Sequence, residues 1–341
     1  MSPGLARGTC RDYAGLPKID LHRHLEGSVR FGTLRELARE AGIGLAAPAL
    51  RKRATMAGEK PGFLRLLSKF EIYRGLYPSR EWIERVAFEA AEDARRDGVV
   101  YLELRFSPAH FARRTNARGE DVAEWVARAA RRAGIEVRFI ATFSRQFSLK
   151  ENGPTFRAVQ GTGVFSGLDV AGDESRSALP FLDFFRKSRL PVTIHAGEGG
   201  GAGNVREAIE RFGARRIGHG VRVLEDPRVL RLARAGGVTF EVCLTSEILT
   251  GAAASWQRHP ARSMMEAGLR MTLNTDDPAI CGVRLSDEFR RARKAGISRA
   301  HLFDATLRAA EVSFLGESSR TALRRKIRRG WDMDGPGATS G

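Results

Sequence analysis

Four short polar clusters mark the chain, each closing an apolar, strand-like run. His22-Arg23-His24 follows Lys18-Ile19-Asp20-Leu21, and His195-Ala196-Gly197-Glu198 follows Val192-Thr193-Ile194. Gly218-His219-Gly220 follows Arg216-Ile217, and Asp276-Asp277-Pro278 follows Met271-Thr272-Leu273-Asn274-Thr275. Three imidazoles and a carboxylate, those of His22, His24, His195 and Asp276, are the donors a mononuclear zinc site needs, with one position left for water. Residues two apart on a strand point the same way, so His22 and His24 can grip one ion. Glu198 lies three residues past His195, close enough to reach a molecule held over the metal. An enclosed pocket favours the neutral form of its carboxyl, which suits a proton donor. His219, between two glycines, is placed to orient or deprotonate a metal-bound water. Successive side chains diverge, so Asp276 can face the metal while Asp277 faces the bound molecule, and Pro278 ends the strand.

Something must hold these clusters at one end of a scaffold. Eight apolar or β-branched runs occur at about 18–23, 99–106, 135–143, 164–170, 191–196, 215–218, 238–244 and 270–275. Their interiors are nearly continuous in apolar residues, as parallel strands covered on both faces require. Helix-period segments lie between them, at 80–97, 119–133, 178–189, 203–212 and 226–236. This alternation predicts an α/β fold, a single (β/α)8 TIM barrel, with the clusters at the C-terminal ends of strands one, five, six and eight. The long first connection, 25 to 98, holds helical spacing from Phe31 to Ala41 and from Phe63 to Tyr73, which predicts extra helices over the C-terminal mouth. Residues 1–15 read as an N-terminal extension, 16–330 as the barrel, and 331–341 as a disordered tail.

Composition narrows the class. The 341 residues are 42% hydrophobic and 28% charged, as expected for a globule with a sizeable core. No run of about 18 apolar residues suggests a membrane span, and the first residues lack a signal-peptide core, so a cytoplasmic location is expected. Cys10, Cys243 and Cys281 form no CxxC pair and no disulfide framework, and Cys243 reads as a small buried hydrophobe. The net charge of +17 admits a polyanion partner. Most of the basic residues are arginines, many of them on expected outer helix faces or near the end of the chain, and no aromatic-interleaved basic motif accompanies them, so nucleic acid is not the expected partner. Gly199-Gly200-Gly201-Ala202-Gly203 lacks the ending of a P-loop and the spacing of a dinucleotide fingerprint. It reads instead as backbone crowding the site beside Glu198. The HxE…PCxxC zinc signature is absent.

Five stretches in order resemble the adenosine deaminase family of metal-dependent barrel hydrolases. They are Leu16 to Ser28 (LPKIDLHRHLEGS), Leu168 to Glu174 (LDVAGDE), Thr193 to Glu198 (TIHAGE), Arg216 to Arg222 (RIGHGVR) and Thr272 to Pro278 (TLNTDDP). The resemblance implies one zinc ion per subunit on His22, His24, His195 and Asp276. It implies that Glu198 protonates purine N1, His219 holds and activates the water, Asp277 contacts N7, and the Gly172 backbone N–H meets N3. His24 and Glu26 would belong to the substrate site. The product would be a 6-oxopurine and ammonia, from adenosine or 2′-deoxyadenosine. Two positions depart from the family pattern. Glu26 stands where adenosine-specific members usually carry Asp beside the ribose 5′-hydroxyl, as in relatives acting on adenine or 6-aminodeoxyfutalosine. Glu247 replaces the Asn of a common Thr-Ser-Asn. Two other readings compete: a two-metal barrel hydrolase opening a ring amide or ester, disfavoured because strand four lacks a bridging lysine, and a non-catalytic polyanion-binding barrel, disfavoured because no catalytic position is lost.

Overall fold

The computed structural model describes residues 13–74 and 76–332. Eight parallel strands occur: β1 (Lys18–His24), β2 (Val99–Phe106), β3 (Glu136–Ser144), β4 (Phe165–Ala171), β5 (Thr193–Ala196), β6 (Arg216–His219), β7 (Thr239–Val242) and β8 (Arg270–Leu273). They follow the apolar runs of the sequence to within a few residues. Strands β1 to β4 pair in order, as do β5 to β8. A bridge from Leu168 to Val192 joins the two halves, and a bridge from Arg23 to Asp276 joins β1 to the segment after β8, so the ring closes. At that seam His24 N–H donates to the Asp276 carbonyl and Asp276 N–H to the His22 carbonyl, both at 2.8 Å.

Outer helices cover the strands with faces read directly from their spacing. The helix Arg80–Arg96 buries Ile83, Val86, Ala87, Ala90, Ala91 and Ala94, an i, i+3, i+4, i+7 pattern. Its neighbour Gly119–Arg131 buries Val122, Ala123, Val126, Ala127 and Ala130. Each fully buried Val or Ile there contributes about 1.5–3 kcal/mol.

The first connection holds helices Phe31–Glu40, Ala47–Ala54 and Phe63–Lys69. Spacing had suggested one helix from Phe63 to Tyr73; the chain instead tightens into a 3₁₀ turn at Phe70–Ile72. The helix Ala47–Ala54 carried no clear period, since only Leu50 and Ala54 are buried in it. Residues 1–12 and 333–341, which include most of the expected N-terminal extension and tail, lie outside the described residues.

The barrel interior carries an ionic layer in place of an aliphatic plug. Arg105 on β2 donates to Asp169 on β4 (3.1 Å) and Glu241 on β7 (2.7 Å), and Arg216 on β6 pairs with Glu241 and with Glu103 (2.6 Å each). All five side chains are essentially inaccessible. Burying charge is costly unless every group is matched, and here each carboxylate meets an arginine.

Candidate active site

Atop this ionic layer the four strand-end clusters converge. His22 Nε2 and His24 Nε2 stand 3.0 and 3.1 Å from His195 Nε2, and 3.3 and 3.4 Å from Asp276 Oδ1. Four donors about 2.0–2.1 Å from one tetrahedral ion lie roughly 3.3 Å apart, so the spacing suits a divalent metal. Burial lowers the His24 imidazole well below its ordinary pKa and lowers that of His195 to about 4, against the pull of Asp169, so both offer lone pairs. Lone pairs crowded at this distance repel one another unless a cation lies between them.

The layer beneath orients these rings. His195 Nδ1 pairs with Asp169 Oδ1 at 2.9 Å, and His22 Nδ1 with Glu241 Oε2 at 2.8 Å. Burial opposes ionisation of Asp169 and Glu241, but Arg105 and the histidines beside Asp169, and both arginines beside Glu241, hold each carboxylate below its ordinary value. Such partners fix tautomer and ring direction and raise ligand basicity. Gly218 is required here: a Cβ on it would sit 2.8 Å from His22 Cε1.

Two chemistry-bearing residues occupy the left-handed backbone region that side chains normally avoid, His219 at φ 60° and Asp276 at φ 63°. The strand ends turn sharply at these points and swing both side chains over the mouth. His219 Nε2 lies 3.4 Å from Glu198 Oε2 and 3.9 Å from Asp276 Oδ2. Burial pushes the Glu198 carboxyl up to about 8. Burial disfavours charge on His219 too, yet Glu198, Glu247 and Asp276 together hold it up to about 10. Asp277 is raised well above its ordinary value by burial and by Asp276, Glu26 and Glu198 nearby.

A cavity of about 750 Å³ opens over the cluster. His24, Gly172, His195, Glu198, His219, Asp276 and Asp277 line its inner end; Phe63, Leu66, Leu67 and Phe70 form an apolar wall. Glu26 lines it as well, its Oε1 accepting from Ser107 N–H at 2.8 Å and its buried Oε2 without a partner. Asp277 Oδ1 and His219 Nε2 are likewise buried without a hydrogen bond. The residues singled out from sequence thus line one cavity, except His22, which lies buried beneath it within 3.0 Å of His195 Nε2.

Sequence reasoning missed the groups that hold these residues. Glu174 accepts four backbone N–H groups: Gly197 and Gly200 on Oε2 (2.7 and 3.1 Å), Glu198 and Gly199 on Oε1 (3.0 and 3.1 Å). The glycine-rich run is thus a nest around one carboxylate, and it fixes the backbone of Glu198. The only signal was the Gly172-Asp173-Glu174 stretch, which drew attention to its glycine. Glu247, to which no chemistry was attached, accepts from Cys243 N–H at 2.8 Å and touches His219 Nδ1 at 3.3 Å and His259 Nε2 at 3.1 Å. Burial favours its neutral form, but the contacts with His219 and His259 keep it ionised.

The family described as adenosine deaminase matches residues 17–329. The chain is 34% identical to an adenosine deaminase of Serratia proteamaculans over 332 residues, spanning 92% of this chain and 98% of that one. It is 35% identical to an adenosine deaminase of Salmonella typhi over 328 residues, with 92% and 98% covered. Among solved structures, an amidohydrolase from Burkhoderia ambifaria with bound Zn superimposes with a TM-score of 0.87 at 25% identity, covering 98% of this chain and 95% of that chain. An adenine deaminase from Arthrobacter aurescens, at 23% identity and a TM-score of 0.84 over 92% and 98% of the two chains, shares the fold. With its cluster of metal donors, acid and imidazole inside one barrel mouth, the chain belongs to the adenosine deaminase family and is a hydrolytic deaminase of purines.

Proposed function

We propose that the protein converts a 6-aminopurine nucleoside, adenosine or 2′-deoxyadenosine, to the 6-oxopurine nucleoside and ammonia, using one zinc ion on His22, His24, His195 and Asp276. The observation that carries this reading is the meeting of Glu198, His219 and Asp277 around those four donors at the inner end of a single cavity. A zinc ion there would lower the pKa of water toward 7 and polarise the reacting oxygen.

The chain's own groups supply the rest. Glu198, protonated below about pH 8 because it is buried, donates to ring N1 as the C6–O bond forms. The ring therefore accepts electrons without building a full anion. The charge of a zinc ion would offset the carboxylates that favour imidazolium at His219, so its Nε2, with Nδ1 fixed by Glu247, would take the proton released by the attacking water and pass it toward the departing amine. The C6–N bond then breaks and ammonia leaves. Asp277, kept protonated by burial and neighbouring carboxylates, donates to N7. The Gly172 N–H faces N3. Such acid–base help is typically worth about 10²–10⁴-fold.

Beyond Glu26 the cavity continues to Arg74, Gln146 and Phe147, which supports a substrate longer than a bare base. That extent and the longer Glu26 side chain also keep 6-aminodeoxyfutalosine as a second candidate. Among the described residues no helix is long and apolar enough to cross a membrane, which agrees with a cytoplasmic location. The test is an ultraviolet screen of adenosine, deoxyadenosine, adenine, AMP and 6-aminodeoxyfutalosine with ammonia measured in parallel. Turnover of adenosine or deoxyadenosine supports the proposal; turnover confined to the other compounds, or none, refutes it.

A further inference from the structure

On the opposite side of β1 from the metal donors lies a second cleft, of about 1270 Å³, open to solvent. It exists because of the residue between the two histidines of the HxH pair. His22 and His24 face the barrel axis, so Arg23 points outward through the wall. Only 4% of Arg23 is exposed, and it lines this cleft. Its Nε donates to Ser28 Oγ at 3.2 Å, but its two terminal nitrogens have neither a hydrogen bond nor an ion pair among the described residues. A buried guanidinium left in that state is unfavourable unless something from solution completes it.

Four more arginines line the cleft: Arg30, Arg51, Arg96 and Arg284. Three aspartates face them, but each is already engaged. Asp93 is chelated by Arg30, Asp97 accepts from Ser286 N–H and Oγ–H, and Asp287 pairs with Arg284 and Arg290. Arg96 is tied to Glu92 at 2.9 Å. Arg51 has no carboxylate partner, and its guanidinium lies over the Phe31 ring, 3.9 Å from the centroid. Two cations, one deeply buried and one exposed, therefore line the same cleft without a salt-bridge partner, Asp20, Asp93 and Asp97 acting on Arg23 only at longer range.

We propose that this cleft binds a phosphate-class oxyanion, held chiefly by Arg23 and Arg51. A tetrahedral anion with several acceptor oxygens can take the terminal N–H groups of Arg23 and the fork of Arg51 together, as planar guanidinium groups favour. The site is coupled to the reaction centre. Ser28, which receives the Arg23 Nε–H, donates in turn to the His24 carbonyl at 2.5 Å, and Arg23 itself pairs with Asp276 across the barrel seam. Bound anion thus stiffens the strand that carries two metal donors.

The test is calorimetric titration of the metal-loaded protein with inorganic phosphate at low ionic strength, with ribose 5-phosphate as a parallel arm and saturating inosine as a control. Wild type is expected to bind one phosphate, undisturbed by inosine. Arg51→Gln should weaken it at least about tenfold, the worth of one charge-assisted hydrogen bond, and Arg23→Gln should abolish it. Tighter binding of ribose 5-phosphate assigns the cleft to a phosphorylated metabolite, and tighter binding of inorganic phosphate to the free ion. No binding by about 10 mM, a millimolar-weak limit for such a site, overturns the proposal. So does displacement by inosine, or affinity unchanged in both variants. Should Arg23→Gln fail to fold, Arg51→Gln and the charge reversal Arg51→Glu decide the matter alone.

Discussion

Replacing Glu174 by Gln isolates the contribution of a residue whose carboxylate is taken up by backbone N–H groups. Its two carboxylate oxygens each take one fully buried N–H and one part-exposed N–H from the 197–200 loop. An amide retains one oxygen, so one such pair is left facing an NH₂ group. The buried donor loses about 1–3 kcal/mol and the part-exposed donor less, because water replaces its partner. The loop is therefore destabilised by roughly 2–4 kcal/mol, equivalent to about 30- to 10³-fold in the population that presents Glu198 correctly. Loss of kcat should fall in that range, within the 10²–10⁴-fold ceiling of general acid catalysis. The assay is steady-state adenosine deamination with zinc content measured on the same sample. Amide hydrogen exchange at 197–200 should accelerate while β1 and β8 stay protected. A variant that keeps kcat within about twofold of wild type would show that Glu198 needs no such anchor, and the reasoning fails.

Other outcomes are expected from the same geometry. Glu198→Gln should nearly abolish turnover with metal retained; wild-type kcat/KM should fall above about pH 8, where the raised carboxyl loses its proton, and a flat profile to pH 9.5 contradicts that role. The same shift has a stability sign. The folded protein keeps this proton above the ordinary value of 4.5, so burial of Glu198 opposes folding increasingly from pH 4.5 to about 8. Metal-free Glu198→Gln should therefore melt higher than wild type at pH 8 and equally at pH 4, and the reverse order counts against the burial argument. Glu247→Gln, which removes a carboxylate from His219 Nδ1, should lower kcat about tenfold or more with little change in KM, since it removes a charged hydrogen bond; a change in KM alone would remove it from positioning His219. Asp169→Asn should weaken metal binding about 10- to 100-fold, read by chelator competition, with unchanged affinity excluding an orienting role for this carboxylate.

The barrel and the convergence of the strand-end clusters were legible because both depend on local pattern. Apolar runs end at the polar clusters, and the residues that bear chemistry sit where strands run out. The supporting shell was not legible, because its partners are set by ring closure. Arg105 meets Glu241 across 136 residues, and nothing local to either marks the other. A lone charge in an apolar strand, such as Asp169 in Leu168-Asp169-Val170, announces that a partner exists without naming it. Glu174 and Glu247 were hidden for a different reason. Glu174 lies in an irregular segment after β4 and Glu247 in the short helix Leu244–Thr250 after β7, and their roles depend on where the 197–200 loop and His219 are placed in space. The sharp turns at His219 and Asp276 left no compositional trace, since neither residue is the glycine that such a conformation prefers.

The seam of the ring runs through the cluster of candidate metal donors itself, for the backbone of Asp276 is hydrogen-bonded to both His22 and His24. During synthesis the two histidines emerge about 250 residues before their carboxylate, so a nascent chain carries an incomplete ligand set until almost all of it has been made. Completion of the donor set and closure of the fold are thereby bound into one late event. A truncated product lacking the last strand would keep the three histidines but lose both the Asp276 carboxylate and the closed ring that brings them together.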